Sequence, residues 1–147
     1  MDICNYKELT KKEISTILKE EKMCYLATTD TTNIESVPMW YVFDYSDEDL
    51  VFYFISNTSS QKIDNTYYTG IAGITLSQHY FSRKREIYKT IIGNGSSNII
   101  DDIKEKLSVI ESFKSKYDCL TNILCDDVSS ISFLKVTISE ITGREYS

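Results

Sequence analysis

The sequence predicts an α+β fold, mainly β: a barrel of about six mostly antiparallel strands with flanking helices. Three observations carry that expectation. Neighbouring apolar runs are joined by short polar turns, the pattern of hairpins. Three stretches have a helical pattern, the middle one short. Near the C-terminus Leu134, Val136 and Ile138 alternate with Lys135, Thr137 and Ser139, as in a half-buried strand. Hairpins with a few crossing helices suit a barrel better than a wound βαβ sheet. The 147 residues have room for one domain, spanning 1–147, and contain no internal repeat or low-complexity linker.

Taken in order, Thr10, Lys11, Lys12 and Glu13 form a capping box, and the helix it opens carries Ile14, Ile17 and Leu18 on one face as far as Glu20 or Glu21. Met23–Thr29 reads as a strand, with Asp30, Thr31, Thr32 and Asn33 as the turn into a second strand over residues 34–44. The one proline of the chain, Pro38, lies inside that second strand. It cannot donate to a ladder, so it marks an edge or a bulge. After the turn at residues 45–49, residues 50–55 are apolar on both faces and predict a central strand. Residues 70–76 predict another, in which Gly70 and Gly73 would let a backbone or a flat ligand approach.

The basic triplet Arg83, Lys84 and Arg85 precedes a strand over residues 86–95. It reads as a solvated turn; the sharper alternative is a contact with an acidic or phosphate group across a dimer interface. Gly93, Asn94, Gly95, Ser96 and Ser97 read as a strand end feeding a helix cap. Ser96, Ser97 and Asn98 are then expected to cap a long helix packed across the barrel, with an apolar stripe of Ile100, Ile103, Leu107 and Ile110. The ordered chain is expected to end at Gly143.

Composition excludes several functions. Hydrophobic residues at 41% and charged residues at 26% are an ordinary globular balance. The net charge of −6 repels nucleic acid and anionic lipid at long range, so any anion must be held by a local site. No apolar stretch approaches the roughly 20 residues of a membrane helix, and the polar N-terminus is no secretion signal, so a cytoplasmic location is expected. Cys4, Cys24, Cys119 and Cys125 form no Cys-x-x-Cys pair and have only His79 to join them; free buried thiols are expected, without zinc or disulfides. There is no Gly-x-Ser-x-Gly elbow, no Walker loop and no Gly-x-Gly-x-x-Gly. His79, beside Tyr80 and Phe81, takes no assigned role.

One stretch does suggest chemistry. After the apolar run, residues 56–65 read Ser-Asn-Thr-Ser-Ser-Gln-Lys-Ile-Asp-Asn and open a short helix. Free amide N–H groups at a helix start, serine hydroxyls and the charge of Lys62 together suit a phosphate. A polar turn with a capping serine and a solvated lysine is the bland alternative. The stretch follows Val37, Pro38, Met39 and Trp40 and precedes a further strand. That order resembles the pyridoxamine 5′-phosphate oxidase-like family of FMN-binding split barrels, in which a Pro-x-Trp strand, a hairpin and a Ser-x-Lys helix start form the flavin site.

The resemblance implies a split-barrel fold with FMN as cofactor. Val37, Pro38, Met39, Trp40, Ile55 and Ser56 would offer the ring slot and backbone groups, and Ser60, Gln61 and Lys62 the phosphate seat. It also implies a homodimer that covers the outer face of residues 50–55. The biosynthetic oxidases have Ser-Arg-Lys where this chain has Ser60, Gln61 and Lys62. Ser36 and Tyr41 stand near positions that are Arg and Lys in those enzymes, and their C-terminal Arg and His motif has no counterpart, so vitamin B6 phosphate oxidation is disfavoured. The chain is closer to short bacterial members labelled general stress proteins. The expectation is an FMN-dependent oxidoreductase acting on an unidentified small molecule, with no catalytic residue assigned and no nucleic acid, membrane or metal involved. The alternatives are a deazaflavin (F420) reductase and a non-catalytic flavin-binding module.

Overall fold

The computed structural model describes residues 5–46, 48–118 and 130–147. In chain order the elements are β1 (Tyr6–Glu8), α1 (Lys11–Glu20), β2 (Met23–Thr29), β3 (Ile34–Trp40), β4 (Val42–Asp44), β5 (Leu50–Asn57), α2 (Gln61–Tyr68), β6 (Ile71–Ser82), β7 (Arg85–Ile99), α3 (Ile103–Lys116) and β8 (Ile131–Tyr146). Every strand pairing is antiparallel, and the eight-stranded sheet runs β3-β2-β6-β7-β8-β5-β4, with β1 also on β8. The expected class, mainly β with three helices, is what forms, with eight strands among the described residues instead of six.

The closure of this sheet follows from one residue. β3 and β4 stand at opposite ends of the strand order, yet Tyr41 alone separates them in the chain. Two residue steps span at most about 7 Å, so the ends of the sheet must meet and the sheet must curl into a barrel. The single strand expected over residues 34–44 is therefore two strands in two places. Residues 34–40 pair with β2, and residues 42–44 pair with β5.

Tyr41 is fully buried and its polar atoms are all engaged. Its hydroxyl lies 2.8 Å from the Leu18 carbonyl oxygen and 3.1 Å from that of Glu21, its N–H donates to the Tyr117 hydroxyl at 3.1 Å, and its carbonyl accepts from Tyr117 Oη at 2.6 Å and Lys116 Nζ at 3.3 Å. The interior around it is filled by Leu26, Phe52, Phe54, Ile74, Ile91, Leu134 and Val136. The capping box of α1 forms as expected, with Ile14, Ile17 and Leu18 buried against this core.

Strand β5 alternates between two apolar clusters. Leu50, Phe52 and Phe54 enter the barrel, while Tyr53 and Ile55 join the outer cluster of Val42, Val109, Phe113, Tyr117 and Phe133 beneath α3. Its expected two-faced apolar character and its place inside the sheet, between β8 and β4, both hold. The cover of its outer face is the chain's own third helix.

That helix begins later than expected. Ser96, Ser97 and Asn98 continue β7, opposite Thr137, Val136 and Lys135 of β8, because Ser97 donates its N–H to the Gly70 carbonyl oxygen and shares a 2.9 Å hydroxyl bond with Thr66. The cap is Asp102, whose carboxylate accepts from the Glu105 N–H. Val109 and Phe113 face inward, whereas Ile103 and Leu107 of the expected stripe are 72% and 57% exposed. The segment from Gly93 to Ser97 is likewise mid-strand. A register shift falls between Asn94 and Gly95, and a Cβ at Gly95 would lie 1.8 Å from the Thr137 carbonyl oxygen, so only glycine fits.

Two other boundaries move. The strand expected from Gly70 starts at Ile71 and runs on to Ser82, Gly70 itself taking a left-handed turn conformation at φ +65°. The last strand continues past Gly143 to Tyr146 because β1 and β7 both pair with its end. Pro38 resolves as an edge residue: the β2–β3 register runs unbroken past it, and β3 ends the sheet order. Cys24 is a free buried thiol, while Cys4, Cys119 and Cys125 lie outside the described residues. No helix among the described residues is long and apolar enough to cross a membrane.

The Tyr41 junction predicts a stability effect. Tyr117→Phe removes the acceptor of a buried N–H and a donor to the Lys22 and Tyr41 carbonyls, at a cost of about 1–3 kcal/mol. Urea unfolding should show this as a lower midpoint with an unchanged slope.

Candidate functional site

The strand exchange at Tyr41 also opens a notch. In the β4–β5 ladder Val42 faces Tyr53, so a continuation of that ladder would bring Trp40 opposite Ile55. Instead β3 turns away to β2, and β5 from Phe54 to Asn57 pairs only with β8. One edge of β5 is left with unpaired backbone groups, just before the chain enters α2.

At that entrance Ser60 holds the N-cap position, in extended conformation, without bonding its own helix. Its hydroxyl meets that of the buried Ser56 at 2.9 Å. Among the described residues no acceptor faces the backbone N–H of Gln61 or Lys62, the first two of the helix, while those of Ile63 and Asp64 reach the Ser60 carbonyl oxygen at 3.1 and 3.4 Å. The Lys62 side chain is half-buried and forms no ion pair with a described carboxylate. The acidic residue of the first turn, Asp64, is exposed. Two free helix-start donors and a lysine thus fall within the first turn of α2, a combination of groups that suits an oxyanion.

The helix is held by side chains that were not foreseen. Gln61 Nε2 donates to Asn65 Oδ1 at 2.9 Å, and the buried Asn65 donates in turn to Thr28 Oγ1 at 3.0 Å. Thr66 bonds Ser97, and Thr69 donates to the Thr29 carbonyl oxygen at 2.7 Å. The side chain of Gln61 is therefore a tether between helix and barrel, and only its backbone N–H points outward as a donor. Apart from the i, i+4 pair of Gln61 and Asn65, these partners lie 31 to 40 residues apart in sequence. No local signal could have found them.

On the other side of the notch, Trp40 is 43% exposed and stacks on Tyr117, ring centroids 5.1 Å apart and planes 8° from parallel. Val37 is half-buried, Pro38 exposed, and Met39 packs on the barrel core. The side chain of Ile55 turns the other way, under α3. The structure thus joins Ser56 to Ser60 directly, puts Lys62 in the first turn of the helix that Ser60 opens, and sets Trp40 at the end of the strand that borders the opening.

Beneath Trp40 lies a polar cluster absent from the sequence expectations. Lys116 donates to the carbonyl oxygens of Leu18 and Tyr41 at 3.2 and 3.3 Å, and its Nζ sits 3.8 Å from the centre of the Tyr41 ring. Burial pushes its amine down to about 8. Burial also pushes the Cys24 thiol and the Tyr117 hydroxyl up to about 12 and raises Tyr41 further. All four groups are thereby held toward their neutral forms. A cleft of about 860 Å³ between α1, β4 and α3 ends on Lys116, but none of the nine anticipated site residues lines it. No group of three or more His, Cys, Asp or Glu residues could hold a metal ion among the described residues.

Comparison with known proteins agrees with this architecture. The sequence model of the family described as pyridoxamine 5′-phosphate oxidase matches residues 10–145. No curated protein matches. Among solved structures, a FAD-binding protein from Mesorhizobium loti has a TM-score of 0.74 at 22% identity over 97% of this chain and 99% of its own. The FAD binding protein from Mycobacterium smegmatis scores 0.69 at 13% identity over 95% and 98%. A candidate pyridoxamine 5′-phosphate oxidase from Listeria innocua scores 0.67 at 15% over 88% and 94%. At such identities the likeness is one of fold.

The depressed Lys116 amine has a measurable consequence. Its ordinary value is 10.5, so between about pH 8 and 10.5 the unfolded chain binds more protons at this group than the folded one. Its stability penalty is present in full below pH 8 and is relieved as pH rises. The wild type should therefore gain stability relative to Lys116→Met from about pH 8 to about pH 9, by well under ~1.4 kcal/mol per pH unit because the amine is only half removed from water. Cys24 and Tyr117 act in the opposite sense and are present in both proteins, the Lys116 charge lowering the Cys24 thiol only against a larger rise from burial. Parallel urea titrations across that range give the slope, and a flat difference would mean an ordinarily hydrated amine.

Proposed function

The chain belongs to the pyridoxamine 5′-phosphate oxidase family, and on that premise we propose that it binds FMN and serves as an FMN-dependent oxidoreductase working as a homodimer. The observation that carries this reading is the start of α2. The capping serine is diverted to Ser56, and among the described residues two backbone N–H groups of the first turn have no protein acceptor and the half-buried Lys62 of the same turn pairs with no carboxylate. A phosphate monoester would satisfy the two amides and the charge.

The ring of the same ligand belongs in the notch between β3 and β5. Trp40 and the strand from Val37 form one wall, and the unpaired edge from Ile55 to Ser56 supplies donors and acceptors for a heterocycle. A bound flavin supplies the redox chemistry itself. What the chain contributes is orientation: Asn65, Thr66 and Thr69 fix the helix, and Tyr117 fixes the Trp40 ring from below. Nothing in the site acts as a proton donor or nucleophile in this reading.

The dimer rests on a different surface from the one the sequence suggested. Because α3 covers β5, an apolar area left open lies instead on the outer face of β3, β2, β6 and β7, where Met23, Tyr25, Ile34, Trp40, Ile71 and Ile92 are all more than 40% exposed. Contiguous apolar area of this kind is what a two-fold interface covers.

Two measurements test the site. Lys62→Ala removes one charge-assisted contact of about 1.5–3 kcal/mol, so FMN affinity should fall roughly 10- to 150-fold while riboflavin, lacking the phosphate, keeps its affinity. An unchanged FMN affinity would leave Lys62 a solvated lysine, and equal loss for both ligands would mean damage to the fold. Added FMN should also quench the fluorescence of Trp40, the single tryptophan. Binding detected by calorimetry with no quenching would remove the ring from the notch.

A further inference from the structure

The cleft of about 860 Å³ between α1, β4 and α3 has no part in the flavin reading. It stays open because the helix faces that border it carry short side chains. Ser108, Ser112 and Ser115 recur at i, i+4 and i+7 on α3, with Ser15 on α1 across the opening, and none is long enough to bridge the gap. Its floor is β4, three residues long and last in the sheet order. The Ser112 hydroxyl is returned to the Ser108 carbonyl oxygen at 3.1 Å, whereas those of Ser15 and Ser115 have no partner among the described residues.

Lys116 closes one end. The carboxylates that share the lining are engaged elsewhere, Glu111 with Lys114 at 3.9 Å and Asp44 with the Ser46 N–H at 3.0 Å, and Lys116 forms no ion pair with a described carboxylate. Its Nζ has two acceptors, the Leu18 and Tyr41 carbonyl oxygens, which match the two hydrogens of a neutral amine. Each acceptor also lies within reach of a hydroxyl, Leu18 of Tyr41 Oη at 2.8 Å and Tyr41 of Tyr117 Oη at 2.6 Å. An amine that gave up both hydrogens would thus leave each carbonyl a donor. The Tyr41 ring, 3.8 Å from Nζ, favours the cation, as do Cys24 and Glu21, but burial outweighs them with help from Lys22 and draws the amine down to about 8.

We propose that this cleft is a carbonyl-binding site in which the Lys116 amine forms an imine with a small hydroxylated aldehyde. The nitrogen lone pair adds to the carbonyl carbon, a C=N bond replaces the C=O bond, and the oxygen leaves as water with the two amine hydrogens. The step is neither an oxidation nor a reduction. Desolvation without a pairing carboxylate is what activates a lysine as a nucleophile. The free hydroxyls of Ser15 and Ser115 suit the hydroxyl groups of the aldehyde, and Val42 and Phe43 suit its carbon chain. The site is independent of the flavin reading.

Glycolaldehyde with cyanoborohydride, which reduces the imine to a stable secondary amine, tests this on the whole protein at about pH 7.5, with peptide mass spectrometry reporting the labelling of each lysine. An amine titrating near 8 in place of 10.5 holds roughly 200-fold more free base there. Allowing for its lower basicity and half-buried position, Lys116 should be labelled at least about tenfold faster than the exposed Lys12 and Lys104. The preference should vanish in urea, and propanal, which has no hydroxyl, should show a smaller one. Ser112→Trp, which fills the cleft from an exposed position on α3, should slow the labelling of Lys116 alone. Labelling of Lys116 no faster than that of Lys12 and Lys104 would overturn the imine site. A preference that Ser112→Trp leaves intact would overturn the cleft as the binding site, and an equal preference with propanal would overturn the hydroxylated substrate class.

Discussion

The fold depends on the covalent link through Tyr41. A residue that ends one strand at one edge of the sheet and begins another at the opposite edge leaves the sheet no choice but to close. It must also do so fully buried, with its own backbone groups cut off from both ladders. Tyr117 and Lys116 repair that, since the N–H and the carbonyl that would have joined a ladder are taken up by the end of α3. The hydroxyl of Tyr41 ties the same point to α1. Two helices, two strand ends and the core therefore meet at one residue, where an unpaired buried group is costly.

Closure and site are consequences of the same event. A strand that leaves one partner for another creates a gap, and the backbone on the abandoned edge stays available. The α2 start lies at the end of that edge because β5 runs directly into it. Ser60 could have capped the helix, but its hydroxyl is engaged with Ser56, and among the described residues the N–H groups of Gln61 and Lys62 and the Lys62 charge have no protein partner. A helix stapled to the barrel by Asn65, Thr66 and Thr69 holds those donors in place.

Features decided within a few residues were legible in the chain. The α1 capping box, the β2–β3 turn and the alternation of β8 each have their cause within about four residues of their effect, and they formed as anticipated. The Ser60, Gln61 and Lys62 helix start belongs with them. Errors came where a local signal competed with distant pairing. Ser96, Ser97 and Asn98 carry good capping chemistry, but the β8 ladder along all three, the β6 ladder at Ser96 and the bonds of Ser97 to Gly70 and Thr66 outweighed it. The stripe of Ile103 and Leu107 has helical spacing, yet the barrel meets α3 on the side of Val109 and Phe113.

By itself, the sequence determined the class, the helix that opens the chain and the polar, cationic start of α2, and it narrowed Pro38 to an edge or a bulge, because caps, turns, periodicity and a missing proline N–H act over a few residues. Only the tertiary structure decided where one long apolar run breaks, which cluster each face of β5 joins, and that Tyr117 lies under Trp40. Those outcomes depend on contacts such as that of Tyr41 with Tyr117, separated by 76 residues, whose pairing no local pattern encodes and which is selected only when the whole sheet closes.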